Sequence, residues 1–426
     1  MFSSVNSFSA FDFNQINNRF LRGGSGNVSS YAATSALGVT SSAFGASSSA
    51  DLALGASFAD AKYVTLPFFY NGKPASESFD SKDIPSCVMS LAAAGSLRYN
   101  SGKENPERRK FLASVLPEGV VPVPVYLIHS KRVYVAEPDV DAVGVAADGR
   151  RNADVRKDAA AVGGVCLVAP DSDGKRFPVG AEGDGVITSC RSFAPVVTAA
   201  DCMPVFLWDS GTGAFGICHS GWKGTGIAAE AVALMGKRFG AKPEDICVIL
   251  GPHIHECCYT VDAERAAYFS REFSPDCCEP VAPGGGSSAI GAADGGMRSG
   301  GNTNAPNSGG LFRLSLARAN IVSLTKAGIK PENILHCTDC TSCFSLPASG
   351  AGDATVAAKA GGKADAGSTE SGASKQATSG VTADMRFFPY GSFRRQTAHL
   401  PEGTPLEERF KVFSAMAAVI GYIAHN

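Results

Sequence analysis

Seven histidines in a chain of 426 residues are few enough that each position carries information. His219 follows an apolar strand-like run and enters the glycine-rich turn His219-Ser-Gly-Trp-Lys-Gly224, which opens a helix. A strand-to-helix turn of this kind presents side chains and backbone N–H groups at a sheet edge, where open α/β folds bind ligands. Cys202 lies in Ala200-Asp-Cys-Met-Pro204 at the start of another strand, and His129 ends the strand-like run that reaches Ile128. Histidine and cysteine are the residue types of transition-metal sites, but each of these three also has a plainer reading. A strand-end histidine is usually satisfied structurally, and a buried cysteine usually behaves as a small hydrophobe. The spacing supplies no local ligand pair, so residue types alone leave both readings open.

The remaining candidates are weaker. Cys337-Thr-Asp-Cys340-Thr-Ser-Cys343 has the two-residue gaps of an iron–sulfur motif, yet the fourth cysteine followed by proline is missing. A structural or pocket-lining role is expected for it, and the vicinal pairs Cys257-Cys258 and Cys277-Cys278 are expected to be packed thiols. His253 and His255 invite a metal reading by their spacing, with a pocket wall or a solvent-exposed His255 as the alternatives. His336, His399 and His425 carry no signal beyond surface placement.

The elements that must position these residues are legible in patches. Strands are predicted at 121–128, 132–136, 194–198, 204–208, 214–218 and 246–250. A helix over 225–239 places Ile227, Ala231, Leu234 and Met235 on one face before Gly240 as a C-cap, and a second runs over 314–327 to a stop at Gly328. A third is predicted over 405–423 with Phe410, Phe413, Met416, Ala417 and Ile420 as its stripe. This mixture predicts an α/β fold, an α+β sandwich with a central mixed sheet flanked by helices. Three Ser/Ala/Gly-rich stretches cannot bury enough apolar surface to offset the entropy of ordering. The expected organisation is a disordered segment over 1–60, then a single catalytic domain over 61–426 with low-complexity insertions at about 283–310 and 347–383.

Composition narrows the function class. A net charge of −2, with charged residues at 18%, offers no basic field for a nucleic-acid backbone. No apolar run approaches membrane-spanning length, and the polar start of the chain lacks the features of a secretory signal. A cytoplasmic location is therefore expected, where thirteen cysteines stay reduced as core residues, ligands or reactive thiols.

Five motifs in order carry a family resemblance. Ala199-Ala-Asp-Cys-Met-Pro-Val205, Cys218-His-Ser-Gly-Trp-Lys-Gly224 and Gly251-Pro-His-Ile-His-Glu-Cys-Cys-Tyr259 resemble the YfiH family, also called laccase-domain, polyphenol oxidase or purine nucleoside phosphorylase proteins. Its T-A-D-C-L-P, H-A-G-W-R-G and G-P-x-I-G-x-C-C-Y patterns occur in the same order. Its upstream Q-V-H-G resembles Leu127-Ile-His-Ser130, and its closing F-x-S-Y-R-R resembles Tyr390-Gly-Ser-Phe-Arg-Arg395. With the insertions removed, the resemblance runs roughly from Tyr63 to the C-terminus. It implies that His129, Cys202 and His219 hold a metal, and two imidazoles plus one thiolate leave the open fourth position of a catalytic zinc. Departures from the pattern are Leu127 for Gln, Ser130 and Ser220 for Gly and Ala, Met203 for Leu, Lys223 for Arg and His255 for Gly. The ligand types survive; the Lys223 exchange puts a point charge where arginine offers a bidentate fork.

The resemblance further implies a zinc-dependent purine nucleoside phosphorylase acting on adenosine, inosine and methylthioadenosine, with adenosine deaminase activity. Deamination would follow other zinc deaminases, where an activated water attacks the purine and an acid/base group shuttles protons. Asp201, His253 and Glu256 are candidate shuttles, with a structural acceptor role as the alternative for Asp201. Phosphorolysis needs a cationic cradle, for which Lys223, Arg394 and Arg395 are the candidates. Tyr259 could stack on the base. One alternative is a copper-dependent, laccase-like polyphenol oxidase, since His₂Cys is also a copper donor set and Met203 adjoins the thiolate. Another is a non-catalytic cell-wall editing or binding factor. The expected partners are a purine nucleoside and phosphate, and the expected state is a monomer.

Overall fold

The computed structural model describes residues 5–10, 61–99, 104–139, 164–170, 175–281, 310–347 and 386–423. The insertions at about 283–310 and 347–383 lie outside these residues, apart from Gly310 and Pro347 at their edges, and so does most of 1–60. Within 1–60, however, Asn6–Phe8 is a strand paired with Leu335–Cys337, so the expected disorder does not extend over the whole segment.

Two sheets face each other. The larger contains β1 (Asn6–Phe8), β5 (Val133–Pro138), β6 (Val165–Val168), β7 (Arg176–Phe177), β8 (Gly185–Thr188), β10 (Met203–Asp209), β11 (Phe215–Ser220), β12 (Ile246–Leu250) and β13 (Ile334–Cys337). Its order is β1-β13-β12-β10-β11-β8-β5-β6-β7, with both parallel and antiparallel neighbours. The smaller sheet has the order β2-β3-β14-β9-β4, from β2 (Tyr63–Leu66), β3 (Ser86–Ser90), β4 (Val121–Pro124), β9 (Phe193–Ala199) and β14 (Met416–Gly421).

The alternation of side chains along β10 shows how the layers form. Met203, Val205 and Leu207 enter the core shared with α2 (Ile227–Phe239), α3 (Ala263–Glu272) and α4 (Leu316–Lys326). Phe206 and Trp208 enter the core between the sheets, against Phe193, Met416 and Ile420 among others. On the far side of the smaller sheet, α1 (Pro106–Val115) lays Phe111, Leu112 and Val115 on Val88, Val196 and Val419. The result is a helix–sheet–sheet–helix stack, the expected mixed α/β architecture. Because both faces of β10 and β9 are covered, these strands read as unbroken apolar runs. No helix among the described residues is long and apolar enough to cross a membrane.

The expected helices at 225–239 and 314–327 are α2 and α4, with Gly240 and Gly328 in the left-handed region at their ends (φ 76° and 94°). The expected helix over 405–423 is not formed. Helix α5 (Leu406–Val412) stops, and Met416–Gly421 is β14, the central strand of the smaller sheet. Met416, Ala418 and Ile420 face the larger sheet while Ala417 and Val419 face α1. A short apolar run with both faces buried fits a helical stripe and a central strand equally, and cross-strand pairing with Met89 and Val196 decides it. The strand predicted over 121–128 is also shorter, ending at Pro124.

Candidate metal centre and its surroundings

His129 and Cys202 occupy the places where the chain passes between the two sheets. After β4 in the smaller sheet the chain reaches His129 and then enters β5 in the larger one. After β9 it turns through Asp201 and Cys202 into β10. His129 and Asp201 both have positive φ (58° and 81°), a region that side-chain-bearing residues enter only where surroundings hold them. His219 lies within β11 rather than after it, paired in register with Pro204 beside Cys202. Ligand atoms of His129, Cys202 and His219 all lie within 4.8 Å of one another, and the two imidazoles meet edge-on at 5.0 Å between centroids.

Asp184, just before β8, is the hub that shapes this corner, and it is wholly buried. Its Oδ1 accepts from the His129 backbone N–H at 3.0 Å and faces His219 Nδ1 at 3.1 Å. Its Oδ2 accepts from the Ser130 N–H at 2.6 Å and the Ser130 hydroxyl at 2.8 Å. One carboxylate therefore holds the strained His129 loop and fixes His219 with Nε2 toward the other donors, the arrangement by which a carboxylate on the far ring nitrogen orients a metal-binding imidazole. Nothing in the sequence around Gly183-Asp184-Gly185 signals this role.

The electrostatics make Cys202 a thiolate and pair it with a protonated His219, whose proton a metal ion would displace on binding. Burial alone would raise the Cys202 thiol, but His219 and His129 bring it down to about 6. Burial would likewise lower His219; the Cys202 charge and the Asp184 hydrogen bond raise it to about 10. Burial penalises the Asp184 charge too, yet contacts with His219 and Ser130 keep its carboxyl below the usual range. Gly221 leaves the approach open: a Cβ there would stand 2.9 Å from Cys202 Sγ and 3.4 Å from His129 Cδ2.

Asp201 is tied down on both oxygens. Oδ1 accepts from the Thr341 hydroxyl at 2.8 Å and Oδ2 from the Arg394 N–H at 2.7 Å, while its carbonyl accepts from the Ile254 N–H at 2.9 Å. Three loops thus meet at this aspartate. Arg395 is spent on carbonyls, those of Thr341 (2.7 Å), Ser342 (3.1 Å) and Tyr390. Arg394 lies over the Tyr259 ring at 5.2 Å and reaches Thr260 at 3.3 and 3.4 Å. Tyr259 itself is 7% exposed and belongs to the helix-side core. Lys223 is exposed beside Trp222, two residues beyond Gly221.

Two further clusters form among the described residues, each with members that the local spacing did not indicate. His253, His255 and His336 come together, and the Nε2 atoms of His255 and His336 are buried without a hydrogen-bond partner. His336 is thus no surface residue: β13 carries it to the end of the larger sheet, opposite Leu250. His255, expected at the surface if it were not a pocket wall, stacks on both neighbours at 4.2 and 5.2 Å. His399 is exposed as expected, and His425 lies outside the described residues. Cys340 and Cys343 meet Cys257 and Cys258, whereas Cys337 points away into the core between the sheets.

Comparison with known proteins gives a consistent picture. Residues 125–346, just over half of the chain, match the family model described as multi-copper polyphenol oxidoreductase laccase. Purine nucleoside phosphorylase LACC1 of Homo sapiens is 30% identical over 166 residues, 38% of this chain and 32% of that protein. Purine nucleoside phosphorylase YlmD of Geobacillus stearothermophilus is 32% identical over 162 residues, 38% of this chain and 51% of the relative. The matches therefore span about a third and about a half of these two relatives' length. Among solved structures, the hypothetical protein YfiH of Bacillus licheniformis aligns with a TM-score of 0.46 at 19% identity, covering 79% of this chain and 92% of that one.

Proposed function

This chain belongs to the multi-copper polyphenol oxidoreductase laccase family, and on that footing we propose that it is a zinc-dependent purine nucleoside phosphorylase. The relatives named as such enzymes support the reaction class. The observation that carries the metal is the meeting of His129, Cys202 and His219 with Asp184 behind them. Two imidazoles and a thiol whose pKa is lowered to about 6 are the donor chemistry of a catalytic zinc site, and the carboxylate on His219 Nδ1 is its usual support. Bound there, zinc supplies a Lewis acid that polarises a substrate oxygen or nitrogen.

The remaining chemistry falls to the chain. In phosphorolysis a phosphate oxygen forms a bond to the ribose C1′ as the bond from C1′ to the purine nitrogen breaks, and the departing base takes up a proton. Of the three candidate cations Lys223 has the fewest internal commitments and binds the phosphate; Arg394 lies across the ring of Tyr259 and adds to that field. Arg395 and Asp201 act by positioning, since their polar atoms hold the 341–342 and 390–394 segments in place. Adenosine, inosine and methylthioadenosine are the proposed substrates, with deamination of adenosine as a second activity, by a monomer in the cytoplasm. Incubation of adenosine with and without inorganic phosphate, with products separated chromatographically, tests this. Adenine and ribose 1-phosphate appearing only with phosphate support it, and inosine appearing in either case reports the deaminase.

A second reading follows from the family's description, which names copper and polyphenols. The same His₂Cys donors suit copper. Phenol oxidation by the copper-loaded protein, without phosphate-dependent nucleoside cleavage, would favour it.

A further inference from the structure

Four cysteines drawn from two distant loops converge outside the centre just described. Cys257 and Cys258 lie in the turn after His255, where the N–H groups of Cys258 and Tyr259 both donate to the His255 carbonyl (2.9 and 2.8 Å). Cys340 and Cys343 lie in the turn after β13, where the Phe344 N–H donates to the Cys340 carbonyl at 2.9 Å. The four sulfurs all lie within 4.8 Å of one another, with Cys257 at 3.8 Å from Cys258 and 3.6 Å from Cys343. A single zinc with Zn–S bonds of about 2.3 Å requires tetrahedral sulfurs about 3.8 Å apart. In an iron–sulfur cluster the cysteines ligate separate irons and spread further, so this spacing fits one ion.

Two surrounding features suit thiolates. The His255 backbone N–H donates to Cys340 Sγ at 3.4 Å, a contact that stabilises negative sulfur. Arg395, whose guanidinium binds the Thr341 and Ser342 carbonyls, interacts electrostatically with Cys340, Cys258 and Cys343. The donor set is complete at four, so no position is left for substrate, which is the mark of a structural site.

We propose that Cys257, Cys258, Cys340 and Cys343 form a second metal site that takes one zinc-class divalent ion and staples the 251–259 loop to the 338–344 loop. On binding, each sulfur still protonated releases its proton to solvent. The staple acts next to the Asp201 turn. Ile254 donates to the Asp201 carbonyl, Thr341 donates to the Asp201 carboxylate, and the Thr341 N–H donates to the His253 carbonyl at 2.9 Å. The ion therefore closes a ring of contacts that already joins these loops to the residue preceding Cys202. This proposal is independent of the reaction assigned to the His129–Cys202–His219 centre.

The test uses the full chain, purified under reducing conditions and titrated with zinc alone. Cys343→Ser and Cys257→Ser alter exposed positions and are the variants of choice, with far-ultraviolet circular dichroism as the folding control. Each is expected to bind one zinc fewer than the wild type and to unfold at a lower temperature in zinc. In the His219→Ala background, zinc-edge X-ray absorption is expected to show four sulfur neighbours and no nitrogen. The proposal is overturned by unchanged stoichiometry in both cysteine variants, or by a second equivalent lost instead in His336→Ala, which would put it on the histidine trio. Mass loss of two hydrogens in the non-reduced, zinc-free wild type, restored by reductant and absent in Cys343→Ser, together with no zinc uptake after reduction, would identify a disulfide pair and equally overturn it.

Discussion

Replacing Asp184 with asparagine changes one atom at a point where four donors meet. His129 N–H, Ser130 N–H, the Ser130 hydroxyl and His219 Nδ1 all converge on its two oxygens, and the side chain is fully buried. Asparagine offers one oxygen, so in either orientation its NH₂ group confronts donors that need an acceptor. If the amide nitrogen faces His219, the imidazole must turn over its proton to the other nitrogen, the one needed by the metal. If it faces Ser130, the His129 loop loses the support for its positive φ. Outer-shell changes of this kind cost roughly 10–100-fold in metal affinity, or about 1.4–2.7 kcal/mol. Competition for zinc against a chromogenic chelator, on protein shown to be folded, reads this directly. A decrease smaller than about threefold would refute the claim that Asp184 orients the ligands.

Three further outcomes are expected. Gly221→Ala places a methyl group 2.9 Å from Cys202 Sγ, and because ligand distances tolerate only about 0.2 Å, metal affinity should fall by roughly tenfold or more in the same competition. Lys223→Met should raise the KM for phosphate by roughly tenfold or more while leaving zinc content unchanged, since a charged hydrogen bond contributes about 1.5–3 kcal/mol. The third concerns acid. Burial, then the neighbouring imidazoles, holds His253 below the ordinary histidine value and takes His336 from 6.5 to about 3, while burial holds His255 below it against the opposing pull of Cys340 and Glu256. Groups kept neutral by folding contribute stability that is complete above the unfolded value and is lost as pH falls toward the folded one. Denaturant midpoints of the metal-free protein should therefore drop between pH 6.5 and pH 3, and His336→Leu should flatten that drop.

The strands and helices around the centre were legible because their signals are local. The apolar run of β10 and the stripe of α2 each specify an element without help from the rest of the chain. Met416–Gly421 reads as a helix in the sequence because its neighbours β3 and β9 lie at least 217 positions away, and only pairing with them distinguishes strand from helix. The same distance hid Asp184, which meets His129 across 55 positions and His219 across 35. It also hid the four-cysteine cluster. Cys337-x₂-Cys340-x₂-Cys343 suggested a local trio, but strand alternation turns Cys337 into the core and leaves the other two to meet Cys257 and Cys258 across the fold. Motif spacing reports what one segment can offer; crossing loops decide which offers are combined.

The central claim is that His129, Cys202 and His219 hold a metal on which nucleoside phosphorolysis depends. Metal analysis of the full chain purified without added metal, paired with adenosine turnover in the presence and absence of phosphate, tests it most directly. The account predicts phosphate-dependent release of adenine by the wild type, and in His219→Ala the loss of one zinc equivalent together with that activity. Retention of both zinc and turnover in the folded His219→Ala protein would contradict it.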